Sequence, residues 1–104
     1  MKTKIVCYCG SLRFKEIFEQ LEYESLMKGE IALLPCCMYV DIERKYGISS
    51  DLKQKADENH KRKIDIADEV FIINKDGYIG KSTLSELNYA MSKQKSITYL
   101  ESNQ

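Results

Sequence analysis

Val70-Phe71-Ile72-Ile73 is the segment that most restricts what this chain can fold into. Consecutive apolar residues leave a strand no polar face for solvent, so it must be covered on both sides. Cover on both sides is the property of parallel sheets, whose crossover connections lay helices over each face.

The rest of the chain supplies those partners. Lys4 to Cys9 is apolar and β-prone and runs into Gly10-Ser11. A helical stretch follows, with Phe14, Ile17, Phe18 and Leu21 at i, i+3, i+4, i+7 spacing, closed by Gly29 after Lys28. Ile31 to Val40 reads as a second strand with Pro35 near its exit, which suits an edge because proline cannot donate to a ladder. Asp41 to Gly47 reads as a polar loop. Ser49 or Ser50 then caps a long helix whose inward stripe is Leu52, Ala56, His60, Ile64 and Ala67. Glu69 to Ile73 is the third strand and Asn74 to Gly80 a turn-rich loop. A third helix carries Leu84, Leu87, Ala90 and Met91, and Ser96 to Leu100 forms the last strand.

This alternation predicts one α/β domain over residues 1–104, a small three-layer, doubly wound parallel sheet of the flavodoxin or Rossmann kind. The expected strand order is 2-1-3-4. Ligands of such sheets bind outside the carboxyl strand ends, where the order reverses. The site is therefore expected where Gly10-Ser11-Leu12-Arg13 meets the loop from Asn74 to Ser82.

Charge narrows the partners. Sixteen acidic and sixteen basic residues leave no formal net charge, which argues against nucleic acid or an anionic membrane and for a small molecule or a protein. No segment approaches the roughly 20 apolar residues of a membrane helix. The start, Met1 to Cys7, is too short an apolar run for a signal peptide. A cytoplasmic location is expected, with Cys7, Cys9, Cys36 and Cys37 as reduced thiols. Cys7 and Cys9 should share one strand face while Cys36 and Cys37 oppose each other, which spoils a four-sulfur zinc site. Inert buried thiols, no metal and no cofactor are the expectation.

Two loops carry anion-binding chemistry. Gly10-Ser11-Leu12-Arg13 lies between a strand and a helix, where backbone amides, a hydroxyl and a guanidinium could hold a phosphate. The same residues equally suit a glycine turn, a serine cap and a solvated arginine. Gly77 to Glu86 holds two glycines, Lys81 and the two hydroxyls of Ser82 and Thr83 before a helix, but its glycine spacing fails the Walker A pattern. Thr83-Leu84-Ser85-Glu86 matches a capping box, and from spacing alone Glu86 is better read as a cap than as a catalyst. Asp65 and Asp68 sit near a helix end where the dipole does not favour them.

Taken together, Cys9 to Arg13, Lys63 to Val70 and Gly77 to Ala90 resemble the nucleoside 2-deoxyribosyltransferase-like superfamily. That superfamily includes the deoxyribonucleoside-monophosphate N-glycosidases and small bacterial and phage proteins. The resemblance implies N-glycosidic bond hydrolysis or deoxyribosyl transfer on a nucleoside or its 5′-monophosphate, with Glu86 as nucleophile. It implies that Gly10, Ser11 and Arg13 hold the sugar or its phosphate, that Gly80 and Ser82 lie in a second phosphate-side loop, and that Asp65 contacts substrate. A homodimer that completes the pocket is also implied.

One departure matters. The family's aspartate eight residues before the aspartate entering strand three is replaced here by His60, counting back from Asp68. A histidine could donate the leaving base its proton, or could mark altered catalysis. The chain is also short for the family and lacks a fifth strand. The alternative expectation is a non-catalytic module that senses or sequesters a nucleotide.

Overall fold

A computed structural model describes residues 2–36, 42–47 and 49–102, apart from the side chain of Glu43. Four strands, β1 (Ile5–Cys9), β2 (Ile31–Leu33), β3 (Glu69–Ile72) and β4 (Ser96–Tyr99), form one all-parallel sheet in the order β2-β1-β3-β4. This is the order that the alternation of strands and helices predicts.

Side-chain alternation along β1 builds two cores at once. Val6 and Tyr8 point to one face, where Phe18 and Leu21 of α1 (Lys15–Lys28) cover them. Cys7 and Cys9 point to the other, where Ile64 of α3 (Ser50–Ile66) and Leu87 and Ala90 of α4 (Lys81–Ser92) close the layer. Val70, Ile72 and Ile73 are fully buried, as a central parallel strand requires. The Tyr8 hydroxyl, taken into the α1 layer, meets Ser25 Oγ at 2.8 Å and so keeps a polar partner.

Three expectations need correction. The second strand ends at Leu33 rather than Val40, because Pro35 two residues later has no amide to extend the ladder. Cys37 to Asp41, including the last four residues of the expected strand, lie outside the described residues. The stretch read as a polar loop contains a short helix, α2 (Ile42–Tyr46), which Gly47 follows at φ 88°. A five-residue helix has too few apolar positions to show a period. The third correction concerns α4. It begins at Lys81 with Gly80 as its cap residue, so Thr83 is inside the helix and no capping box forms. Glu86 is thereby freed from a structural duty.

Candidate functional site

A pocket of about 480 Å³ opens at the carboxyl ends of β1 and β3, where the strand order reverses. Gly10, Ser11 and Leu12 form one wall, and Tyr78 with Gly80 to Thr83 forms the other. Pro35 and Cys36, beyond β2, and one face of α3 complete it.

Each wall follows from local sequence. Ser49 starts α3 by accepting the Leu52 amide at 3.0 Å. The helix then runs from the carboxyl edge down the sheet face toward the start of β3, with Lys53, Asp57 and His60 at i, i+4, i+7 facing the pocket. Lys53 Nζ lies 3.2 Å from Asp57 Oδ2 and donates to Ser82 Oγ at 3.4 Å, which joins α3 to the start of α4. Opposite, Ser11 Oγ accepts the Arg13 amide at 3.3 Å and shapes the turn between Leu12 and Phe14.

The floor is the chemically dense part. His60 is 2% exposed, although its helix is otherwise highly polar. Its Nε2 is 3.9 Å from Glu86 Oε1, 3.5 Å from Cys7 Sγ and 3.3 Å from Cys9 Sγ. Nδ1 is buried without a hydrogen-bond partner among the described residues. The Glu86 side chain is 13% exposed and reaches the pocket from the second turn of α4.

These groups set one another's protonation. The hydrogen bond from Cys9 favours the Cys7 thiolate, and with help from His60 it outweighs burial, lowering Cys7 to about 6. Cys9 is pushed up, first by donating that hydrogen bond and then by burial. Burial alone would lower His60, but Cys7 and the Glu86 charge reverse the sign and raise it. Burial raises Glu86 above the ordinary carboxylate range, with His60 opposing. The site can therefore hold a buried proton donor beside a carboxylate.

Of the expected site residues, Glu86, His60, Gly10, Ser11, Gly80 and Ser82 are brought together around this one pocket. Arg13 stands at its rim. Its guanidinium stacks 4.1 Å from the ring centre of Tyr78, a pocket residue, and donates to the Tyr78 hydroxyl at 3.5 Å. Asp65 does not join them. It lies at the far end of α3, accepts the Tyr89 hydroxyl at 2.6 Å and pairs with Arg62 at 2.7 Å. That placement makes it a tie between α3 and α4 rather than a ligand contact. Asp68 likewise accepts the Ile5 amide at 2.8 Å.

The sequence reading missed Lys53, Asp57 and Tyr78. The two α3 residues were recoverable, since they fall at helical spacing from His60 on the same side. Tyr78 lies in the Asn74 to Ser82 loop expected at the site, but no spacing marked it out within that loop. No protein-family model matches the chain, and no curated protein does either. Among the described residues, no helix is long and apolar enough to cross a membrane.

Proposed function

We propose that this chain binds a nucleoside or nucleoside 5′-monophosphate in this pocket and cleaves or transfers its N-glycosidic bond. Glu86 attacks the anomeric carbon, the carbon–nitrogen bond breaks, and its electron pair leaves with the base, which takes a proton from His60. Water or a second base then attacks the same carbon and releases Glu86. The observation that carries this reading is the Glu86 carboxylate, mostly enclosed at the floor of a nucleoside-sized pocket with His60 Nε2 3.9 Å away. The small residues Gly10, Ser11, Gly80 and Ser82 leave room above it for a sugar and phosphate.

A second reading, a binding module without turnover, has one observation in its favour. Burial holds Glu86 above the ordinary carboxylate range, and the protonated form is no nucleophile. The discriminating experiment incubates the protein with a panel of deoxynucleosides and their 5′-monophosphates and separates free base chromatographically. Release of base selects the enzyme, and tight binding without release selects the module. Glu86→Gln keeps the side chain's shape but removes the nucleophile, so base release should fall by roughly 10³-fold or more. Release at the parent's rate would exclude Glu86 from the reaction.

A further inference from the structure

The N-glycosidic reading uses neither thiol beneath the pocket, and a buried strand facing an apolar layer is ordinarily built from branched aliphatic residues. Here two alternate positions on β1 are cysteines, both 0% exposed, and both sulfurs meet one histidine nitrogen. The two sulfurs and His60 Nε2 all lie within 4.8 Å of one another. A tetrahedral zinc ion, with Zn–S near 2.3 Å and Zn–N near 2.0–2.1 Å, places a sulfur and a nitrogen about 3.5 Å apart. The observed separations are 3.5 Å for Cys7 and 3.3 Å for Cys9.

We propose that Cys7, Cys9 and His60 form a binding site for a thiophilic divalent cation of the zinc type, with its fourth corner facing Glu86 and the pocket. Two thiolates and an imidazole are soft and borderline donors, which favour zinc over magnesium or calcium. Three protein ligands with one open position is the arrangement that catalytic zinc sites use. On binding, Cys9, His60 and any protonated Cys7 give up their protons, and the two thiolates balance the charge of the ion. His60 coordinates as neutral imidazole through Nε2, the ring nitrogen that has polar company. The pocket, which reaches His60 and Glu86, provides an entry path.

The cation and the proposed proton transfer would use the same nitrogen of His60, so the test is read on protein without nucleotide. Reduced, chelator-treated, desalted full-length protein is titrated with cobalt(II). The expected result is one equivalent bound per chain, with a near-ultraviolet thiolate-to-cobalt charge-transfer band that one equivalent of zinc bleaches. Cys7→Ser and Cys9→Ser should each weaken cobalt binding at least tenfold. If either serine variant fails to fold, His60→Asn, which leaves β1 untouched, carries the test with the same expected loss. The double variant Cys36→Ser/Cys37→Ser should retain the band. No band at one equivalent, a band undiminished in His60→Asn, or a band lost in the Cys36/Cys37 variant would each overturn the site.

Discussion

Gly10 has no side chain because there is no room for one. A Cβ there would lie 2.8 Å from Ile73 Cβ and 3.3 Å from Phe18 Cζ, between a core strand end and the α1 layer. Gly10→Ala should therefore destabilise the fold by about 1–3 kcal/mol, the scale of overpacking a filled core. Thermal unfolding checks this, and an unchanged midpoint would mean that the turn yields without cost. Arg13 makes the complementary case, a side chain with room and a partner. It stacks over Tyr78 at the pocket rim, and on the proposed nucleotide reading it would meet a 5′-phosphate. Arg13→Ala should weaken a 5′-monophosphate by ~1.5–3 kcal/mol, the scale of a hydrogen bond to a charged group. The unphosphorylated nucleoside should lose much less. Calorimetric titration of both ligands decides, since equal losses would remove Arg13 from the phosphate end. Residue spacing misled at Glu86, where Thr83 to Glu86 has the capping-box pattern but the helix starts earlier, at Lys81. It succeeded at His60, whose place on the stripe with Leu52, Ala56 and Ile64 requires it to face inward. What spacing could not show is that two β1 sulfurs would meet that ring, because strand-to-helix contacts depend on register across the sheet.

At the scale of elements, β1 and β3 were legible because each is a short apolar run bounded by turn residues, whereas β2 was read too long, and the parallel arrangement followed from the helical crossovers. The connection after β3 was legible only as a loop. Its shape is set by contacts the sequence does not advertise. Asn74 is 5% exposed and pairs twice with Glu101: its Nδ2 donates to the Glu101 carbonyl at 3.2 Å, and its Oδ1 accepts the Glu101 amide at 2.9 Å. The Glu101 carboxylate in turn accepts the Asp76 amide at 3.1 Å, where Asp76 adopts a left-handed φ of 55°. This staple joins the exits of β3 and β4 and sets the base of the loop that carries Tyr78 and Gly80 to the pocket. Asn74→Ala would leave two buried or half-buried backbone groups of Glu101 unpaired, at a cost of about 1–3 kcal/mol. Amide hydrogen exchange should quicken at Asp76 to Gly80 more than in β1. Uniform protection in that loop would show that the staple does not hold it.

The whole molecule separates its two sheet edges by chemistry. The carboxyl edge holds the pocket, while the amino edge is tied down by acids with depressed pKa values. Asp68 accepts the Ile5 amide at 2.8 Å and the Lys2 ammonium at 3.2 Å, and these bonds, the backbone one first, hold it below the ordinary aspartate value. Burial would raise Glu69, but its 2.7 Å contacts with Lys4 and Thr98 more than offset that and lower it. Together they connect the starts of β1 and β3 with β4. A carboxyl whose folded pKa lies below its unfolded one binds fewer protons when native. Its contribution is then complete above the unfolded value and disappears as pH falls through the lower folded value. For Asp68 and Glu69 the unfolded values are near 3.8 and 4.5, so the loss begins there and continues downward. Asp68→Asn keeps an acceptor for the Ile5 amide but has no carboxylate to protonate. It should be less stable than the parent at neutral pH, and the gap should narrow as the medium is acidified through that window. Urea midpoints measured from neutral pH into the acid range test this directly. Using the difference between the two proteins cancels titrations common to both, those of His60 and Glu86 included. Parallel curves, with the gap unchanged down to the most acid point, would show that Asp68 is not a pH-dependent clamp on the amino edge.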